Sequence, residues 1–88
     1  MKGFVYILRS LKNDSLYVGS TRNVHQRIKQ HQCGDVAATK YILPVRLEFY
    51  QEYDNIELAG RVERKLKSFK RKDFIEKIVK EKIIKAEA

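Results

Sequence analysis

The sequence predicts an α+β domain, a small antiparallel sheet covered by helices, in the order β-β-α-β-α-α. Three observations predict it. Two short segments rich in β-branched and aromatic residues, GFVYILRS and LYVGS, flank the turn-forming stretch LKNDS. A later segment, VRLEFYQEY, alternates with a period of two. Elsewhere apolar residues recur at helical spacing, at Val24 and Ile28 and then at Ile56, Ala59, Val62 and Leu66. Strands joined by a tight turn, followed by helices, argue for an antiparallel sheet with its helices packed on it.

Each element has its own signal. The first strand runs from about Gly3 to Ser10. The N-terminus MKGFVYILRSL is basic and then apolar, but Arg9 and Lys12 interrupt the apolar run and no small-residue cleavage site follows. It therefore reads as a strand and not as a signal peptide. Asn13, Asp14 and Ser15 form the turn. In the second strand, Gly19 either lets the backbone approach a ligand closely or ends the pairing. Asn23 is the N-cap of a helix over VHQRIKQHQ, and Gly34 stops it. Residues 35–43 read as loop, with Pro44 opening the third strand. There Val45, Leu47 and Phe49 are expected to face one way, and Arg46, Glu48, Tyr50 and Glu52 the other. Asp54 and Glu57 have the spacing of a capping box at the start of the second helix. Phe69 packs near the end of that helix, a break falls around Ser68 to Arg71, and a last helix from about Lys72 turns Phe74, Ile75, Ile78 and Val79 inward. The expectation is a single domain over 1–82, with 83–88 as a frayed C-terminal tail.

Composition narrows the function. At 88 residues there is room for one modest core, and 43% hydrophobic residues is too many for a disordered tail. No apolar run reaches membrane length. Cys33 is the only cysteine, which excludes an internal disulfide and a cysteine-rich zinc site, and suits the reducing cytoplasm. It reads as a helix-end residue, not a nucleophile. The net charge of +8 is unevenly spread. Residues 1–60 hold 8 Lys/Arg against 6 Asp/Glu, and residues 61–88 hold 11 against 5. A basic stripe of this kind suits a polyanion, DNA first and RNA second. Its ordinary alternative is a solvated face that keeps the protein soluble.

The chemistry-bearing residues converge on a few places. Arg27 and His31 are four apart on one helix face, next to the apolar stripe of Val24 and Ile28, so they are expected at the rim of the core. Tyr6 and Tyr17 lie on the two hairpin strands. Glu63 sits between Val62 and Leu66 at the edge of a buried face, among Arg61, Arg64, Lys65 and Lys67. This set suits phosphodiester hydrolysis. A cation such as Arg27 meets the negative charge that builds on the phosphate. A carboxylate such as Glu63 holds a divalent metal, the Lewis acid and template. A tyrosine of lowered pKa near that metal, or His31, activates water. Each residue also has an ordinary explanation. The tyrosines suit strands, Arg27 suits a solvated helix, His31 favours the helix dipole, and Glu63 pairs with Lys67 at i, i+4. His25 reads as a surface residue.

The pattern tips this balance. FVY, then YVG followed by Ser20 and Thr21, with Arg27, His31 and a later Glu63, resembles the GIY-YIG nuclease superfamily. Within it, the chain is most similar to small standalone bacterial proteins, a largely uncharacterised group. The resemblance runs from Phe4 to about Val79, with Phe4 standing where the first triplet has glycine. It implies a three-stranded antiparallel sheet flanked by helices. It implies that Tyr6 and Tyr17 line an active site, one of them close to the water nucleophile, with Gly19 letting the backbone pass close by. It implies Arg27 on the scissile phosphate, His31 as base or proton relay, and Glu63 as the single metal-holding carboxylate for Mg²⁺, with Mn²⁺ as a substitute. No Asn follows Asn55, so the further Asn of many full nucleases has no counterpart here.

Three functional expectations follow. The first is a metal-dependent DNA endonuclease, weakly specific or structure-selective, of the kind used in DNA repair or recombination. In it Arg61, Arg64, Lys65, Lys67, Lys70, Arg71 and Lys72 grip the nucleic-acid backbone without reading sequence. The second is a non-catalytic nucleic-acid-binding module on the same fold. The third is a domain that docks onto a larger protein. Cleavage and binding by Glu63→Ala separate the first two, and absence of binding at low salt favours the third.

Overall fold

The computed structural model describes residues 1–69 and 71–84. Strand β1 is Gly3–Ser10, β2 is Leu16–Thr21 and helix α1 is Val24–Gln32. A single 3₁₀ turn at Lys40–Ile42 leads into β3, Val45–Tyr53. Helix α2, Ile56–Phe69, and helix α3, Lys72–Glu81, complete the chain. The fold is α+β, and the three strands form one antiparallel sheet in the order β2-β1-β3.

The central place of β1 explains its sequence. A strand covered on both faces has no solvent side to make polar, so GFVYILRS is nearly continuous in apolar residues. Val5 and Ile7 point to one face, where Ala59, Val62 and Leu66 of α2 and Ile75 and Ile78 of α3 pack on them. Tyr6 and Leu8 point to the other face with Val45, against Tyr17, Ile28, Leu43 and Leu47. Helices α2 and α3 thus close one face, while α1 and the 3₁₀ turn close the other. At Gly3 a side chain is excluded by packing, because an added Cβ would lie 2.6 Å from the Ile56 Cα.

The alternation expected in β3 fails at one residue. Ile7 of β1 faces Phe49, but Leu8 faces Leu47, so Glu48 is an extra residue in the ladder. A bulge turns the strand over. Val45 and Leu47 therefore join the α1 side, while Phe49 joins the α2 side. Local periodicity cannot reveal the bulge, because it arises from pairing with β1. The displaced Glu48 carboxylate accepts a hydrogen bond from Arg9 Nε at 2.6 Å. Arg9 also pairs with Asp14 of the hairpin turn at 2.9 Å and with Glu76 of α3. One half-buried guanidinium thus ties together β1, β3, the turn and α3.

Asparagines cap α1 and α2, whereas α3 begins at Arg71 with no side-chain cap and ends at Lys82 in the left-handed region, φ 60°. Asn23 Oδ1 accepts from the Gln26 N–H at 3.0 Å, capping α1, and Gly34 beyond it has φ 81°. The cap of α2 is Asn55, whose Oδ1 accepts from the Leu58 N–H at 2.7 Å. The expected Asp54 cap is displaced, and Asp54 pairs with Lys2 at 3.5 Å instead. Between α2 and α3 the rings of Phe69 and Phe74 meet at 4.8 Å. Ile84 is buried in the core, and its N–H donates to Gln51 Oε1 at 2.9 Å. Packed chain therefore continues past the expected boundary at 82, and 85–88 lie outside the described residues. Among the described residues no helix is long and apolar enough to cross a membrane.

Candidate active site

Register builds the site. Tyr6 lies directly opposite Gly19, and Leu8 opposite Tyr17. A Cβ on Gly19 would collide with the Tyr6 phenol, so the glycine clears the space in which that ring lies. The Tyr6 and Tyr17 ring centroids are 6.4 Å apart, and each ring meets the His31 imidazole, at 5.6 and 5.3 Å. The two strands and α1 thus bring three rings together.

His31 is not at the rim. It is fully buried, with Nε2 at 2.8 Å from the Tyr6 hydroxyl and Nδ1 at 2.6 Å from Thr39 Oγ1. Helical spacing gave its azimuth, but the segment at Val36–Ile42 folds back over α1 and closes it off, supplying Thr39. Burial chiefly, with the nearby Arg27 charge, lowers its pKa to about 4. The imidazole is therefore neutral at pH 7. The Tyr6 phenol is shifted the other way. Burial raises its pKa, Arg27 opposes, and Tyr17 and Glu63 add to the rise. The sequence expectation of a tyrosine with lowered pKa does not hold at Tyr6.

Arg27 is half-buried beside this cluster and donates to Gln30 Oε1 at 3.0 Å. Glu63 comes from α2 on the far side of β2. Its Oε1 accepts from Ser20 Oγ at 2.5 Å and its Oε2 pairs with Lys67 Nζ at 2.7 Å. The Lys67 ammonium also lies over the Tyr17 ring, 5.1 Å from its centroid. The six expected site residues thus lie on β2 and on the three elements around it, β1, α1 and α2. Ser20 and Thr39 went unassigned in the sequence. Ser20 had a signal, its place directly after YVG, whereas Thr39 in a loop had none.

Among the described residues no three His, Cys, Asp or Glu side chains come together as a metal cage. A divalent ion here would have Glu63 as its one carboxylate ligand. That donor set fits Mg²⁺, which keeps several waters and takes phosphate oxygens from its substrate.

The described members of the basic set nominated for nucleic acid are exposed but unequal. Lys67 is taken by Glu63, Arg71 pairs with Asp73 at 2.7 Å and Lys72 with Asp14 at 3.5 Å. Arg61, Arg64 and Lys65 lie on the solvent side of α2. Lys70 lies outside the described residues. Two open grooves flank β2. One, of about 350 Å³, is lined by Ser20, Thr21, Arg22, Asn23, Gln26 and Arg27 among others. The other, of about 300 Å³, has Tyr17 and Leu16 on its wall and Lys67, Arg71 and Lys72 around it.

The fold places two tyrosines and a glycine on one hairpin, an arginine and a histidine one turn apart on α1, and a carboxylate on α2. The chain belongs to the GIY-YIG catalytic domain family, which matches residues 2–78. Its relatives carry the name UPF0213. One from Staphylococcus haemolyticus is 37% identical over 78 residues, 88% of this chain and 94% of that protein. One from Natronomonas pharaonis is 35% identical, covering 77% of this chain and 80% of that one. The solution NMR structure of a UPF0213 protein from Bacillus halodurans superposes with a TM-score of 0.58 at 34% identity, covering 93% of this chain and 86% of that one. The family lies in the nuclease superfamily, which points to a nucleic-acid substrate.

Proposed function

We propose that this protein is a metal-dependent endonuclease that hydrolyses DNA phosphodiester bonds with little sequence preference. The observation that carries the reading is the buried hydrogen bond between the Tyr6 phenol and a neutral His31, with Arg27 beside it and Glu63 across β2. Arg27 binds the scissile phosphate and meets the charge that builds on its oxygens. Glu63 would hold Mg²⁺ or Mn²⁺, which when bound would supply Lewis acidity toward the phosphate. Thr39 sets the imidazole. With the proton on Nδ1 donated to Thr39 Oγ1, Nε2 is free to accept the Tyr6 phenol proton. Tyr6 oxygen then takes a proton from the attacking water as its own passes to His31 Nε2. Gly19 leaves room for the phenol to hold that position, and Tyr17 walls the site. Arg61, Arg64, Lys65, Lys67, Arg71 and Lys72 contribute a diffuse positive field that draws the polyanion in. DNA repair or recombination would use such an activity.

One observation favours a second reading, a module that binds nucleic acid without cutting it. Both Glu63 oxygens already have partners, Ser20 and Lys67. A cleavage assay separates the two. Plasmid and branched DNA are incubated with Mg²⁺, Mn²⁺ or EDTA, beside Arg27→Ala and Glu63→Ala proteins. Metal-dependent cutting by the wild type, lost in both variants, is the expected result. Binding without cutting on every substrate would replace the nuclease by the binding module.

A further inference from the structure

The groove beside Arg27 does not end at α1. It shares Arg22 and Asn23 with an adjoining pocket of about 260 Å³ lined by Phe4, Val24, His25 and Tyr50. The two form one track from the site to the far edge of the sheet. Tyr50 is 51% exposed, a large aromatic surface for a strand residue. Phe4 props it edge-on, with ring centroids 6.0 Å apart and an interplanar angle of 67°.

Arg22 supplies unpaired positive charge along this track. Among the described residues the Arg22 and His25 side chains make no ion pair or hydrogen bond. Lys67, Arg71 and Lys72 each sit in an ion pair with a carboxylate of this chain. Glu52, cross-strand from Phe4, is itself paired with Lys2 at 3.8 Å. An unpaired arginine next to an exposed ring is the arrangement that holds a phosphate and stacks a base.

We infer that this track is a nucleic-acid subsite: Arg27 and Arg22 hold phosphates of one strand, and an unpaired base next to the scissile position lies on the Tyr50 ring. A base inside a duplex has both faces covered by its neighbours, so the ring selects frayed, branched or single-stranded DNA. The inference rests on the nuclease reading only in placing a phosphate at Arg27.

The test is binding without metal. Fluorescence anisotropy in EDTA compares a labelled single-stranded DNA with the same strand in a blunt duplex, for wild type, Tyr50→Ala, Tyr50→Trp, Arg22→Ala and Arg27→Ala. The wild type is expected to prefer the single strand. Tyr50→Ala lowers that affinity roughly 5- to 100-fold and leaves duplex binding unchanged, while Tyr50→Trp retains it. Arg22→Ala weakens both and lowers the salt slope by about 1. Tyr50 is exposed, so melting curves of its variants should overlay the wild type. If Tyr50→Ala stays within about twofold of wild type while Arg27→Ala binds poorly, the subsite is overturned and the phosphate contact at Arg27 stands. If the wild type binds neither DNA, the subsite and the nuclease reading fall together.

Discussion

The Tyr6 hydroxyl and His31 Nε2 are 2.8 Å apart, and both side chains are buried almost completely. Burial first, and then the nearby Arg27 charge, disfavour a protonated imidazole in that position. The folded protein holds the His31 pKa near 4 against an ordinary 6.5. The unfolded chain therefore binds more protons between those values, and stability falls as pH drops through that window. The contribution lost is about 3 kcal/mol once pH reaches the folded pKa. Urea unfolding at pH 7 and pH 5 reads it. The loss in wild type should exceed the loss in His31→Phe, whose folded state has no imidazole to protect. Equal losses would show that His31 titrates normally.

Gly19 is fixed by the ring it faces. Gly19→Ala places a methyl against the Tyr6 phenol and forces the ring or the strand to move. Overpacking of this kind costs about 1–3 kcal/mol. The melting temperature should drop, and cleavage should fall further than stability alone explains, because the phenol leaves its hydrogen bond with His31. An unchanged Tm would mean that the ring has free space that the structure does not show.

Arg9 is the hub of the opposite end of the domain. Arg9 is the largest cause of the lowered carboxyl pKa values of Glu76 and Asp14; at Glu48 burial pushes upward most strongly, and Arg9 together with Arg46 outweighs it. Arg9→Met leaves the Glu48 carboxylate half-buried with only Arg46 and should cost about 3 kcal/mol. Arg9→Lys recovers little, because an ammonium cannot serve several carboxylates through a planar fork. The folded pKa values lie below the ordinary ones. The stabilisation is thus present at neutral pH and is lost as pH falls through the folded values, and the acid sensitivity of Arg9→Met should be the smaller. Denaturation midpoints across that range decide it.

Lys67 and a metal ion would compete for one carboxylate. Lys67→Met frees Glu63 Oε2, and Mn²⁺ binding followed by electron paramagnetic resonance should tighten by about three- to fivefold, the scale of a partly exposed ion pair. Glu63→Ala should abolish that binding. Unchanged affinity in Lys67→Met would show that the ion does not use Glu63 Oε2.

Much of the fold could be read from the chain because local chemistry decided it. The β-branched run set β1, and Asn23 and Gly34 set the ends of α1. The departures share a cause, contacts made between distant segments. The bulge at Glu48 depends on pairing with β1 and the burial of His31 on a loop that closes over α1, while Asp54, expected as the α2 cap, meets Lys2 and Asn55 caps instead. The site divides the same way. Tyr6, Tyr17, Arg27, His31 and Glu63 were legible as a set through their resemblance. The hydrogen bonds from Ser20 and to Thr39 were not, because a lone hydroxyl carries no pattern.

The middle strand of the sheet is the first one made. During synthesis β1 can fold back on β2 across the short turn as soon as both exist. Its other edge waits until β3 emerges, after α1 and the whole 3₁₀ segment. The hairpin that carries both tyrosines can thus form early by local closure, while the ladder that completes the sheet depends on a distant partner, the step that slows folding. In that order of events the two tyrosine-bearing strands come together before the helix that brings Glu63 to them has been built.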